Sequence, residues 1–134
     1  MTILLKSKQL LETKLTEIDL PIAFDSVDFD VEQLPFLAAM FIPRKPDNAG
    51  YGNNDYFREI ISFVVLVNCQ LNTGSGEALE IAESVRSKFK RGTTLEEDGI
   101  RVNILSVPQI STPIQLVDRL VVSVTIPALA ENLN

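Results

Sequence analysis

The feature that most constrains the fold is the apolar run over residues 57–71, where hydrophobic side chains occupy most odd-numbered positions. Alternation with a period of two is typical of a β-strand with one buried face, because successive side chains point to opposite faces of a sheet. The residues assigned to the core face are Phe57, Ile61, Phe63, Val65, Val67, Cys69 and Leu71. The even-numbered face is mixed, and it also carries apolar side chains that need cover.

The sequence before this strand predicts one helix and two further strands. A hydrophobic stripe at helical spacing, with charged residues such as Lys6 mostly on the other side, predicts an amphipathic helix that ends before Pro21. The stripe consists of Leu4, Leu11, Leu15 and Ile18. Residues 21–24 predict a short edge strand, and the apolar run 36–42 predicts a buried strand closed by Pro43.

The sequence after the long strand predicts a turn, a second helix and two strands. Gly74-Ser75-Gly76 makes the turn, and Gly92 is expected as the left-handed cap of the helix. The buried stripe of this helix consists of Ala78, Ala82, Val85 and Phe89. Alternation over residues 100–104 and 120–126 predicts two strands, and Glu96-Glu97-Asp98-Gly99 predicts a hairpin turn.

This order, α-β-β-β-α-β-β, predicts a single α+β domain over residues 1–134. Runs of strands with two main helices favour a mixed, mostly antiparallel sheet of about five strands. The helices could cover one face of the sheet together, or one face each, and the sequence leaves both arrangements open. In the first arrangement, apolar residues on the other face would need a second subunit to cover them. These candidate subunit-interface residues are Ile60, Val64, Leu66 and Val121.

Three segments are expected to form exposed loops: residues 25–34, 44–56 and 108–118. The middle one is rich in proline, glycine and asparagine, and long loops of this kind usually carry function. Because tyrosine and arginine are enriched at protein interfaces, this loop and its base predict a partner interface. The candidate partner-interface residues are Arg44, Lys45, Tyr51, Asn53, Asn54, Tyr56 and Arg58.

Charge and composition narrow the function. The 134 residues carry a formal net charge of −6, with a pI near 4.6, which opposes nucleic-acid binding as the main task. The chain has no histidine, so it lacks the commonest general base and the commonest zinc ligand. Cys69 is the only cysteine, and its apolar neighbours predict a buried, inert thiol. The sequence therefore predicts no enzyme activity, cofactor or metal site.

Two patterns suggest ligand binding as an alternative function. In the Gly74-Ser75-Gly76 turn, the third glycine of a dinucleotide fingerprint would fall at Leu79, and Glu77 would repel a pyrophosphate, so a plain strand-to-helix turn is favoured. The acidic loop lacks the glycine of an EF-hand, which favours a solvated loop over a cation-binding module. The carboxylates of this loop are Asp25, Asp28, Asp30 and Glu32.

Hydropathy predicts a soluble protein of the cytoplasm. No segment of the sequence approaches the roughly 20 apolar residues that span a bilayer. The first residues lack the basic leader and the small-residue cleavage pattern of a signal peptide. No membrane partner is therefore expected.

The succession of features resembles the tail terminator and tail completion proteins of long-tailed bacteriophages. The resemblance is carried by Tyr56-Phe57-Arg58 at the start of the long strand, by the Gly74-Ser75-Gly76 turn, and by residues 89–93 after the helix. Residues 102–108 and 122–127 add support near the end of the chain, and residues 20–24 add support near its start.

The resemblance implies a structural protein of the virion that forms a ring, typically a homo-hexamer, on the completed tail tube. Such a ring stops tube polymerisation and presents a surface for joining to the neck or head. The implied partners are other copies of the chain, the tail tube protein and a neck or head-completion protein, with DNA only as cargo through the channel. Assembly in the bacterial host cytoplasm is implied, and no catalytic residue is carried over. Another tail or neck component of similar fold is the remaining alternative.

Overall fold

A computed structural model of the chain describes residues 3–24, 34–48, 57–71 and 76–132, with only the backbone described at 45–48 and 57. Two helices and eight strands lie within these ranges. The helices are α1 (Ile3–Leu15) and α2 (Gly76–Lys88). The strands are β1 (Ile22–Phe24), β2 (Phe36–Asn48), β3 (Phe57–Cys69), β4 (Thr94–Glu97), β5 (Ile100–Ile104), β6 (Gln109–Ile110), β7 (Ile114–Gln115) and β8 (Leu120–Asn132).

The strands form one mixed sheet in the order β1-β2-β3-β8-β5-β4, with β6 and β7 both paired to β8. Only β1 pairs in parallel, with β2, and the other pairs are antiparallel. The predicted α+β class with a mixed, mostly antiparallel sheet is therefore confirmed. The expected number of strands was too low, because the short strands β4, β6 and β7 lie in segments whose composition indicated turns and loops.

The core lies on the odd-numbered face of β3, as predicted for Ile61, Phe63, Val65, Val67 and Cys69. Leu71, also assigned to the core, is half-buried beyond the end of β3, and the side chain of Phe57 lies outside the described residues. Phe63 is opposite Ile126 and Val65 is opposite Val124 on β8, and all four side chains are fully buried. Leu11 of α1 and residues of α2 belong to the same hydrophobic cluster. Each strand side chain points to only one face of the sheet. Because both helices pack in the cluster that contains the odd-numbered residues of β3, both helices cover that same face. Of the two arrangements left open by the sequence, the structure has the one with both helices together.

Strand β2 does not end at Pro43, as the sequence had suggested, but continues to Asn48. The N–H of Leu37 donates to the Pro21 carbonyl on the β1 side, and by strand alternation the nitrogen of Pro43 faces the same outer edge. Because β1 covers β2 only up to Ala39, no partner strand needs a donor from Pro43. A bulge between Pro43 and Lys45 then sets Pro46 opposite Glu59, where the Pro46 nitrogen also faces outward.

Strand β8 likewise runs past Pro127, beyond the predicted end of the last strand. The N–H of Leu105, just after β5, donates to the Pro127 carbonyl at 2.9 Å. The carbonyl and the nitrogen of Pro127 therefore both face away from β3, toward the gap between β6 and β5. The missing N–H of proline therefore costs no bond to β3. The core stripe of β8 continues through Ala128 and Ala130, which are both fully buried.

Gly99 lies in the predicted hairpin turn, whereas Gly92 does not have its predicted role as a helix cap. Asp98 and Gly99 have φ of 53° and 79°, as a two-residue β4–β5 hairpin requires, which confirms the predicted turn. Gly92 has a φ of 86° but lies beyond the end of α2, in a turn closed by the Thr93 N–H donating to the Lys90 carbonyl. It is a turn residue and not the predicted helix cap.

Candidate interaction surfaces

The face of the sheet opposite the helices is apolar. Leu66 is opposite Ala38 on β2 and Ser123 on β8, while Val64 is opposite Met40 and Thr125, so these side chains share one face. We call this surface the open sheet face. At one end of this side of the sheet, the paired residues Phe36 and Asn68 are buried, with Arg119 over the Phe36 ring, and they are not counted in the surface. The open sheet face consists of Ala38, Met40, Ile42, Ile60, Ser62, Val64, Leu66, Val121, Ser123, Thr125, Pro127 and Leu129. All of them are half-buried except Met40, which is exposed, and neither described helix packs on this surface.

The structure brings the four predicted subunit-interface residues together on the open sheet face. Ile60, Val64 and Leu66 follow one another along β3, and Val121 lies on the neighbouring strand opposite Asn68. Each is half-buried within the single chain. Their position on one surface that neither described helix covers agrees with the arrangement that motivated the prediction, and their role in subunit contact stays a prediction.

Some of the predicted partner-interface residues lie on strands, and the others lie outside the described residues. Tyr51, Asn53, Asn54 and Tyr56 lie outside the described residues, as does the side chain of Lys45. Residues 44–48 belong to β2 and not to a loop, because the outward-facing prolines leave the β2–β3 ladder intact.

Two arginines of the predicted partner interface lie on strands. Arg44 is exposed, and its Nε donates to the Ser62 hydroxyl at 3.0 Å. Arg58 on β3 is opposite Glu131 of β8 and is half-buried. Both arginines lie in the same sheet as the apolar surface. Arg58 is near the start of β3, and Arg44 is at the bulge of the neighbouring strand β2.

Charged residues also border the open sheet face on its β5 side. The Arg101 guanidinium lies 3.4 Å from Glu96 Oε2 and 3.8 Å from Glu131 Oε1. Asn103 Nδ2 donates to the same Glu131 oxygen at 3.4 Å and thereby joins the cluster. An apolar centre with a charged rim is the usual composition of a protein–protein interface.

A second apolar surface lies in residues 105–117, which we call the apolar tip. This segment contains no Asp, Glu, Lys or Arg. The exposed fractions of its large hydrophobic side chains are high: Leu105 44%, Val107 60%, Ile114 59%, Leu116 47% and Val117 99%. The sequence predicted an exposed loop over residues 108–118. Instead, the short strands β6 and β7 within this segment pair with β8. Its absence of charge was the sequence signal that could have identified it as a surface for contact.

The base of the apolar tip is electrically neutral. The Arg119 guanidinium donates to both carboxylate oxygens of Asp118, at 3.1 and 3.0 Å. These bonds hold the pKa of Asp118 below its usual range and raise that of Arg119. The same guanidinium lies 5.7 Å from the centre of the Phe36 ring, which fixes the turn against the start of β2.

A buried lysine joins α1 to the β4–β5 hairpin. Lys6, expected on the solvent side of the first helix, is only 6% exposed, and its Nζ lies 3.0 Å from Glu97 and 3.1 Å from Asp98. The hydrogen bond with Glu97, followed by that with Asp98, raises the pKa of Lys6 against the opposing effect of burial. Glu97 and Asp98 of the hairpin therefore form ion pairs with Lys6, which join the hairpin to α1.

The described residues contain no group of three or more His, Cys, Asp and Glu side chains that could hold a metal ion. The acidic loop considered as a cation site falls on residues 25–34, nearly all of them outside the described ranges. Cys69 is buried, and burial, with the nearby negative charge of Glu77, raises its pKa to about 11. Its thiol is therefore protonated and poorly nucleophilic at neutral pH. Among the described residues, no helix is long and apolar enough to cross a membrane.

Comparison with known proteins identifies the family. A family model described as phage tail terminator protein matches residues 4–127, from α1 into β8. The chain belongs to the phage tail terminator protein family, and the resemblance seen in the sequence is confirmed. Members of this family are structural tail proteins, which implies association with tail components and a place in the virion.

A solved protein structure has the same fold. It matches with a TM-score of 0.67 at 18% identity, over 94% of this chain and 89% of that one. At this identity the likeness concerns the fold alone. The comparison with curated protein sequences gave no match.

Proposed function

We propose that this protein forms a ring on the tail tube, stops tube polymerisation and provides the surface for joining to the head or neck. The observation that carries the proposal is the open sheet face, an apolar surface that neither described helix covers. A side chain such as Val64 or Leu66 gains about 1.5–3 kcal/mol on full burial, so a second subunit on this face would stabilise an assembly. Family membership supports the tail tube as the place where that assembly forms.

In this proposal, residues 1–134 act as one tail-terminator domain without enzyme activity or cofactor. The candidate partner interface around Arg44, Lys45 and Arg58 contacts the tail tube or the neck protein, together with the tyrosines and asparagines of the adjoining segment. DNA passes only as cargo, and the net charge of −6 suits a channel wall that phosphates do not bind. The assembled protein belongs to the virion tail, and assembly takes place in the host cytoplasm.

Light scattering over a concentration series, together with electron microscopy of purified tail tubes, tests the proposal. We expect closed oligomers, alone or on the tube end, and tubes that no longer elongate when the protein is added before fresh tube subunits. The series should be repeated with and without Mg²⁺. A protein that stays monomeric and also leaves tube elongation unchanged would refute the proposed function.

A further inference from the structure

We infer that subunits contact one another head-to-tail, with the apolar tip of one copy packed on the open sheet face of the next copy. The inference deepens the proposed ring function and rests on it. The two surfaces are unlike, because the apolar tip carries highly exposed side chains and the open sheet face carries mostly half-buried ones. Contacts between unlike surfaces generate rings when the rotation between subunits closes.

Exposed apolar side chains are concentrated in the apolar tip. Eight large hydrophobic side chains are exposed among the described residues, and five of the eight lie in residues 105–117. Val117 at the apex is 99% exposed, in a turn closed by the Leu116 N–H donating to the Arg119 carbonyl at 2.8 Å. Exposed apolar surface concentrated in this way is typical of a protein contact site.

The distribution of charge favours a second copy of the chain as the occupant of the open sheet face. Two identical chains of net charge −6 repel one another, so their contact surfaces should carry as little charge as possible. The apolar tip contains no charged residue, and Asp118 neutralises Arg119 at its base. The centre of the open sheet face is likewise uncharged, and its charged residues, such as Arg58 and Glu131, lie at the rim.

The position of the apolar tip beside the open sheet face also favours this contact. Ile114 of β7 is opposite Val121 of β8, so the apolar tip begins beside the open sheet face and extends it past the start of β8. β7 pairs with β8 through Ile114–Val121 and Gln115–Leu120, which places the tip alongside the start of β8. The outer edge of β2 is also a poor site for strand addition, because Pro43 and Pro46 remove donors from it. A contact through faces is therefore favoured over a contact through strand edges.

Cysteine cross-linking between copies tests the inference. One chain carries Met40→Cys on the open sheet face, and the other carries Val117→Cys on the apolar tip. Both positions are exposed in the single chain, at 38% and 99%, whereas the native Cys69 is fully buried. The wild-type chain therefore measures the background. The mixed variants are treated with a short bis-maleimide under conditions where wild-type protein is oligomeric or bound to tail tubes.

We expect cross-linked dimers from the mixture, at least about tenfold above either variant alone, and a ladder of multimers from a chain that carries both substitutions. The matched control replaces Met40→Cys by Leu79→Cys, an exposed position on α2 at 37%, and should give no product above background. Cross-linking of Val117→Cys mainly with itself would indicate a symmetric contact and would overturn the inference. Its cross-linking to the tail tube protein in place of another copy would overturn it as well.

The outcomes separate this inference from the proposed function. If wild-type protein assembles and caps tubes but the 40–117 product is absent, only the head-to-tail contact is wrong. If wild-type protein neither assembles nor caps tubes, the ring function is wrong, and the contact inferred from it is refuted too.

Discussion

The aromatic ring of Phe63 on β3 lies 5.9 Å from that of Phe89, just beyond α2, with the ring planes tilted by 51°. Both side chains are fully buried, and they are among the largest in the core. Tilted aromatic pairs at this separation add to the free energy gained by burial. This contact holds the end of α2 against the middle of the sheet, on the face opposite to the open sheet face.

Phe63→Ala should lower the free energy of unfolding by about 3–5 kcal/mol, because it leaves a cavity beneath Phe89. Urea denaturation followed by circular dichroism measures the change. The matched control is Leu79→Ala at an exposed position, which should change stability by about 0.5 kcal/mol or less. A loss below about 1 kcal/mol for Phe63→Ala would mean that the core face of β3 has been assigned wrongly.

Val64→Glu should leave the chain folded but weaken its assembly, because it introduces a charge at the centre of the open sheet face. The apparent dissociation constant of the oligomer should rise by about tenfold or more in sedimentation or light-scattering measurements. Leu79→Glu makes the same kind of change on the exposed side of α2 and should assemble normally. Equal assembly of the two variants would exclude the open sheet face as a subunit contact.

The Cys69 thiol should resist alkylation in the native protein. With a pKa of about 11, only about one thiol in a thousand is ionised at pH 8. Native protein should therefore react with iodoacetamide far more slowly than protein in urea, and more slowly than the exposed Val117→Cys thiol. Rapid labelling of native Cys69 at pH 8 would contradict its burial.

The same thiol should make stability depend on alkaline pH. Its pKa is raised from 9.0 in the reference state to about 11 in the fold, so the unfolded chain releases the proton first as pH rises. This contribution to stability is complete below pH 9 and is lost progressively between about 9 and 11. Denaturation of Cys69→Ala across the same pH range is the control, and it should lack this part of the decrease.

Replacing both Pro43 and Pro46 by valine should promote aggregation. The substitutions restore N–H donors along the outer edge of β2, which β1 covers only as far as Ala39. Turbidity and thioflavin fluorescence at increasing protein concentration would measure the effect. Pro127→Val is the matched control, since the Pro127 nitrogen faces the gap between β6 and β5 inside the sheet, and its solubility should match wild type. Equal solubility of the two variants would argue against a protective role for the β2 prolines.

Local periodicity predicted much of the fold. The alternation around Phe63 assigned the core face of β3 correctly, and the helical stripe containing Leu11 assigned the buried side of α1. The hairpin turn at Asp98-Gly99 was also recognised from its residues. Each of these features depends on the spacing of neighbours in the chain, which the sequence displays directly.

Other features depended on contacts between distant segments. Pro43 and Pro127 appeared to end strands, but a proline removes a ladder hydrogen bond only if a strand that needs its N–H lies on the side that its nitrogen faces. Lys6 appeared to be a solvated helix residue until the β4–β5 hairpin was placed over it. The role of β6 and β7 as partners of β8 was likewise invisible in a segment that composition alone marked as loop.

By itself, the sequence determined the α+β class, the two faces of β3 and the resemblance to phage tail terminators, because periodicity and short motifs are local properties. Only the tertiary structure decided that both helices cover one face, and that Ile60, Val64, Leu66 and Val121 share the other. The physical reason is that strand order and register are set by long-range packing, which no single stretch of chain encodes.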